Sequence, residues 1–299
     1  MELTLHLTMV LSLTSGQFMD ITCADGVILK ATLFAPQVPS RGVVVLAGAT
    51  GVLSKFYAPF AEHLAAQGWQ VLTWDARGVG NSATRHPRDD PARMRDWGCL
   101  DLDAALRCAA SLWGSWDGVV LIGHSSGGHL AGLAPSLARV QRILLVASGT
   151  CHWRLYPYGQ WPRLWAAWYL AAPALLALYG YLPAWAGVGT ALPPGVVQDW
   201  RNWSVTPDYL FSDASLDVRG YANYHGQVHA ISMADDYGFS PPATVRDLLR
   251  RFSSAKVSQE ELTPAPGDKP IGHFGFFTAH NFRWWGVASQ WLDSAVARA

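Results

Sequence analysis

Residues 119–128 read Val-Val-Leu-Ile-Gly-His-Ser-Ser-Gly-Gly. A β-branched apolar run of this kind forms a buried strand. It stops at Gly123-x-Ser125-x-Gly127, and the stretch behind it, His129 to Ala138, has helical composition. Strand, sharp turn and helix is the setting in which such a serine is displayed at the tip of the turn. The glycines stand two positions either side of Ser125, where a side chain would collide in so tight a bend. Ser125 is thus a candidate nucleophile. The N–H of Ser126, at the start of the helix, is a candidate donor to developing negative charge.

The rest of the chain fits a sheet that could carry this turn. Phe18 to Ala24 and Val27 to Phe34 read as a hairpin around Asp25-Gly26. The apolar run Gly42 to Ala47 feeds a loop, Gly48-Ala49-Thr50-Gly51. A helix over Ala58 to Gln67 stops at Gly68, and a strand over Gln70 to Trp74 follows. A helical pattern over Cys99 to Trp113 leads into the elbow strand, and Arg142 to Ala147 is the strand after it. Strands over Gln227 to Met233 and Lys256 to Leu262 flank a helix from Pro242 to Phe252, and a last helix covers Asn281 to Ala297. A hairpin followed by alternating strands and helices predicts an α/β fold, mostly parallel, with helices on both faces.

Composition marks out four segments: a leader (1–18), two core segments (19–148 and 227–299) and an insertion (149–226). The insertion holds seven of the fifteen tryptophans and no charged residue between Arg163 and Asp199. Pro173, Gly180, Pro183, Gly187, Gly189, Pro193 and Pro194 cut the uncharged stretch into pieces too short to span a bilayer. It reads as two or three short helices forming an apolar lid. Trp153, Trp161, Trp165 and Trp168, with His124 from the elbow, are its candidate substrate-binding residues. The leader (Met1 to Leu11) is apolar but has no basic start and carries Glu2, so it reads as a poorly ordered extension rather than a signal peptide. The expected location is cytoplasmic. The 22 basic residues balance the 22 acidic ones, which gives no footprint for nucleic acid or a charged membrane surface. Cys23, Cys99, Cys108 and Cys151 lack C-x-x-C spacing and read as buried, reduced thiols.

A serine hydroxyl needs a base to take its proton and an acid to orient that base. In this architecture the chain order is Ser, then Asp or Glu, then His. The loop after Gln227 to Met233 carries Asp235-Asp236, whereas the loop after Arg142 to Ala147, Ser148-Gly149-Thr150, carries no acid. Asp236 is preferred, with Asp235 the alternative, because Pro241 lies one residue beyond its usual place. Only His273 and His280 follow. His273 sits in a Gly- and Phe-rich loop between the last strand and the last helix, the better place for the base. The second oxyanion donor is expected from the 48–51 loop, at Ala49. His225 and His229 have the spacing of two ligands on one helix face, but Gly226 and the strand argue against zinc, and no metal or cofactor is called for. Asp75-x-Arg77-Gly78-x-Gly80-x-Ser82 is not a phosphate loop and reads as a turn-fixing motif. Arg93 to Gly98 starts a helix or lines the pocket, the helix start being preferred.

With these residues placed, the chain resembles the serine α/β-hydrolase superfamily along residues 19 to 299. It is most similar to a bacterial branch whose members are largely uncharacterised. The matching pieces are Ala47–Gly51, Asp75–Ser82, Asp96-Trp97-Gly98, Gly123–Gly128, Gly180–Pro183 and Gly272–Phe277. The resemblance implies an eight-stranded sheet with an inserted helical cap and a Ser125, Asp236, His273 triad. The expected function is hydrolysis of a small to medium, largely apolar ester, or less readily an amide or thioester. Acyl transfer to an alcohol uses the same residues. A non-catalytic binding protein of this fold would need none of the three. The partner expected is a small-molecule substrate, and oligomeric state is not legible.

Overall fold

A computed structural model of the chain describes residues 16–296. Eight strands form one sheet in the order β1-β2-β4-β3-β5-β6-β7-β8. They are β1 (Gln17–Thr22), β2 (Ile28–Phe34), β3 (Val43–Ala47), β4 (Gln70–Trp74), β5 (Val119–His124), β6 (Arg142–Val146), β7 (Gln227–Met233) and β8 (Lys256–Leu262). β1 pairs with β2 and β2 with β4 antiparallel, and every other pairing is parallel. Since β1 begins at Gln17, the last residues of the expected 1–18 leader are strand. Residues 1–15 lie outside the described residues.

The central strands are apolar on both faces, and the pleat sorts their side chains. Val43, Val45, Leu121, Ile143 and Leu145 face one cluster with the helices Asp103–Trp113 and Pro242–Leu249. Val44, Leu46, Val120, Ile122 and Leu144 face the other, with Ala58–Ala66 and Trp285–Val296. β8 closes the sheet as an edge whose residues 256–261 are exposed and include Lys256, Glu260 and Glu261. Charge on a free edge discourages strand addition.

Three helices differ from the sequence reading. Behind the elbow the helix is only Ser126–His129, followed by 3-10 turns at Ala131–Leu133 and Leu137–Arg139. Gly127, Gly128 and Gly132 propagate helix poorly, and Pro135 forces Ala134 into an extended conformation (ψ 120°). The Cys99–Trp113 pattern is instead the end of a longer run that starts at Met94 and passes through a π-helical segment, Trp97–Leu102. Helix Trp285–Val296 begins later than Asn281, after a 3-10 segment, Ala279–Trp284.

The insertion lies between β6 and β7. Its main elements are a helical run, Trp161–Ala166, Ala167–Ala171 (π) and Ala172–Tyr179, and the helix Pro194–Val205. Asp199 of the latter is buried and accepts from Arg93 and from Arg95 (Nη2 at 2.9 Å). Arg93 occupies the N-cap position, its N–H donating to Asp96 Oδ2 at 2.9 Å, and Arg95 lies in the first turn, so this motif starts a helix, as preferred, and ties the insertion to the core. No helix among the described residues is long and apolar enough to cross a membrane.

Candidate active site

Ser125 sits beyond the carboxyl end of β5 with φ 52° and ψ −116°, a backbone conformation that costs a non-glycine residue about 1–3 kcal/mol. Three backbone bonds hold it there: Ser125 N–H donates to Val146 O at 3.1 Å, and the N–H groups of Gly128 and His129 donate to Ser125 O, each at 3.0 Å. The flanking glycines are sterically required. A Cβ on Gly123 would stand 2.4 Å from Gly128 Cα, and one on Gly127 would stand 2.2 Å from Ala47 O. The Ser125 hydroxyl makes no hydrogen bond to any described residue.

The turn after β7 brings the next two groups together. His273 Nδ1 lies 2.6 Å from Asp236 Oδ2. Asp236 is 2% exposed, and its oxygens also accept the N–H groups of Phe239 and Ser240 at 3.1 Å. Asp235 is used differently. Its carboxylate accepts the N–H groups of Ile271 and Gly272, both at 2.9 Å, and so grips the backbone just before His273. Phe239 stacks on the His273 ring at 4.8 Å, and Phe274 meets it edge-on at 4.8 Å. His280 is exposed, its ring 3.3 Å from the Thr278 hydroxyl.

Ser125 and His273 line one cavity of about 220 Å³ at the carboxyl ends of the parallel strands. Its walls are mostly apolar and come largely from the insertion, including Leu164, Trp168, Leu175, Leu182, Val188 and Trp200. Among the described residues lining it Arg163 is the one Arg or Lys, and there is no Asp or Glu. Of the four tryptophans expected there, only Trp168 lines the cavity. Leu164, Trp168, Ala171 and Leu175 fall on one stripe and Trp165 lies off it, whereas Trp161, the first residue of the helix, shares the stripe but is taken up by a neighbouring tryptophan. Trp161 packs on Trp153 at 5.4 Å, and Trp165 is 46% exposed, stacked on Tyr169. Trp200 lines the wall from the second insertion helix and was not foreseen.

His124, expected at the substrate, is 0% exposed and does not line the cavity. The Ala49 N–H, expected as an oxyanion donor, donates instead to the Tyr57 hydroxyl at 2.8 Å. Among the described residues, the N–H groups of Thr50 and Ser126 have no hydrogen-bond partner.

The remaining motifs are structural. Asp75 accepts from Ser54 N–H (2.7 Å) and Asn81 N–H (2.8 Å), fixing the turn after β4. Arg77 is buried between Asp101 and Asp25. His225 lies in the turn before β7, and His229 lies in β7 beside Ser258. The four cysteines are unpaired. Cys23 alone is fully buried, and burial pushes its thiol up to about 12.

Fold and site geometry together define an α/β-hydrolase. The family model described as serine aminopeptidase, S33, matches residues 38–216, more than half of the chain, and the chain belongs to that family. "Putative carbamate hydrolase RutD" of Caulobacter vibrioides is 33% identical over 134 residues, 44% of this chain and 45% of RutD, so the chain spans about half the length of that curated relative. Among solved structures, the monoglyceride lipase of Saccharomyces cerevisiae superposes with a TM-score of 0.67 at 15% identity, with 95% of each chain covered. The Pyrococcus furiosus esterase Pf2001 gives 0.60 at 17% identity, covering 94% of this chain and 93% of its own. At such identities these two share the fold.

Proposed function

We propose that this protein is a serine hydrolase that cleaves a small to medium, largely apolar ester, and less readily an amide or thioester, through an acyl-enzyme on Ser125. The observation that carries the reading is the short His273–Asp236 hydrogen bond at the same cavity as a serine held at φ 52°. His273 Nε2 takes the Ser125 proton as the hydroxyl attacks the carbonyl, then returns it to the leaving group. Asp236 keeps the His273 proton on Nδ1 and stabilises the imidazolium that forms. Water, activated by the same histidine, releases the acid. Asp235 serves as an anchor for the histidine loop rather than as the triad acid.

The oxyanion hole takes Thr50 in place of Ala49. A donor already bound to Tyr57 cannot turn to the substrate without breaking that bond, whereas the next N–H in the chain is unclaimed. Ser126 N–H supplies the second donor, as expected from its place after the nucleophile. Each such donor is worth about 3–4 kcal/mol of barrier.

The insertion, residues 149–226, acts as the cap that forms the apolar wall. The family description suggests peptides with a free amino terminus. That ammonium would enter this cavity with no carboxylate to meet it, which costs several kcal/mol. A neutral apolar ester meets no such penalty, and a neutral carbamate, the class in RutD's name, belongs in the same panel.

The test is fluorophosphonate labelling together with p-nitrophenyl butyrate turnover. Wild type should be labelled at Ser125 and show a burst, and Ser125→Ala should lose both. Wild type inert to both reagents, or a Ser125→Ala variant that still turns over, overturns the reading. The chain-length profile over acetate to decanoate, with carbamate and aminoacyl esters beside it, separates the substrate classes.

A further inference from the structure

Behind Ser125 four groups form one buried chain of hydrogen bonds that the reaction above does not use. His124 Nε2 lies 2.9 Å from the carbonyl oxygen of His273. A carbonyl can only accept, so Nε2 carries the proton and Nδ1 is an acceptor. The Tyr57 hydroxyl, 2.8 Å from Nδ1, therefore donates to it. The Tyr57 oxygen in turn accepts the Ala49 N–H at 2.8 Å. Tyr57 is 1% exposed, and burial holds its phenol well above the ordinary range and the His124 imidazole well below its own. Both rings stay neutral, which leaves the chain a single proton arrangement.

We propose that Tyr57 and His124 are positioning residues that set the oxyanion loop and the His273 loop against the elbow through this chain. The inference rests on the hydrolase reading and concerns groups that do not touch substrate. By drawing the Ala49 N–H inward, Tyr57 leaves the Thr50 N–H for the cavity. By donating to the His273 carbonyl, His124 fixes the base's own peptide, and Asp235 holds the two N–H groups just before it. Packing alone does not need the hydroxyl. The Tyr57 ring meets Phe277 edge-on at 5.0 Å and Phe56 at 5.2 Å, contacts that a phenylalanine would keep. What the hydroxyl adds is a link between two loops whose relative placement decides the rate, and misplacement by about 1 Å costs on the order of 100-fold.

The deciding experiment compares wild type with Tyr57→Phe in p-nitrophenyl butyrate kinetics and in proton–nitrogen NMR of the histidine side chains. Expected are a wild-type His124 protonated on Nε2, a kcat about 10–100-fold lower in Tyr57→Phe with KM within about twofold, and a shifted or broadened low-field proton of the His273–Asp236 bond. Leu64→Val, in the helix that Tyr57 precedes and off the chain, should lose stability and keep kcat. His124→Phe, which keeps a ring but removes both the N–H for the carbonyl and the acceptor for Tyr57, should repeat the kcat loss if Tyr57→Phe does not fold. A Tyr57→Phe kcat within about twofold of wild type, losses that follow the folded fraction as in Leu64→Val, or a His124 proton on Nδ1 would each overturn the proposal. If wild type hydrolyses no ester, the hydrolase reading fails by itself. The NMR arm still decides the chain, since unchanged His273 resonances in Tyr57→Phe would show that it does not reach the histidine loop.

Discussion

Asp236 accepts from His273 Nδ1, and its neighbour Asp235 accepts from the N–H groups of Ile271 and Gly272, just upstream of the same histidine. Both carboxylates hold one histidine, one through its ring and the other through the backbone just before it. Their substitutions should therefore separate cleanly. Asp236→Asn leaves the loop in place but no longer holds the His273 proton on Nδ1, and kcat should fall about 10³–10⁴-fold with little change in Tm. Asp235→Asn weakens two charge-assisted bonds, which should cost about 1–3 kcal/mol in a urea titration with a much smaller kcat loss. Finding the large kcat loss at Asp235 would return the acid role to it. The sequence narrows the acid to this pair and stops, because spacing along a strand does not say how the following turn rotates. Here the turn closed by Asp236 N–H to Met233 O and by the Phe239 and Ser240 amides turns Asp236, and not Asp235, toward the His273 ring. Ala49 fails as a donor for a similar reason. Its amide is captured by Tyr57, eight residues on, and a backbone donor's direction leaves no trace in residue identity.

At the scale of elements, the sheet is legible because its strands alternate or run apolar between glycine and proline signals, and all eight are found close to their expected bounds. The helices are less so. The run after the elbow has apolar composition to Ala138, yet Gly132 and Pro135 break it into short turns. Composition points four of the insertion's tryptophans, Trp153, Trp161, Trp165 and Trp168, at the cavity, but a helix shows only one stripe to a wall, and Trp165 faces outward. Glycine substitutions test this distinction between turn and helix. At Gly127 an added Cβ would stand 2.2 Å from a backbone oxygen of β3, with nothing flexible to yield. Gly127→Ala should cost several kcal/mol or prevent folding. Gly286, in the closing helix, has nothing within 4 Å of its would-be Cβ, so Gly286→Ala should stabilise by about 0.5–1 kcal/mol. Thermal unfolding of the two variants checks both signs. A tolerated Gly127→Ala would mean that the elbow is looser than its geometry.

Taken whole, the molecule buries titratable groups in the layer between sheet and insertion, and this couples the site to global stability. His129, one turn after Ser125, is 1% exposed, with Nε2 at 3.2 Å from the Tyr209 hydroxyl contributed by the insertion. Burial lowers its pKa to about 3. The unfolded chain, with an ordinary imidazole near 6.5, binds a proton that the folded protein refuses over the window between these values. Stability from this group is therefore present above about pH 6.5 and is lost as pH falls below it. Between pH 7.5 and pH 5 the loss amounts to about 2 kcal/mol, and His124, depressed in the same direction by the same cause, adds to it. Other groups also titrate over this range, so the informative quantity is a difference. His129→Asn removes the imidazole, and whatever its own stability, its urea midpoints at pH 7.5 and pH 5 should convert to a fall about 2 kcal/mol smaller than that of wild type. Equal falls in the two proteins would mean that His129 takes up its proton in the folded state, and that the layer beneath the insertion admits charge.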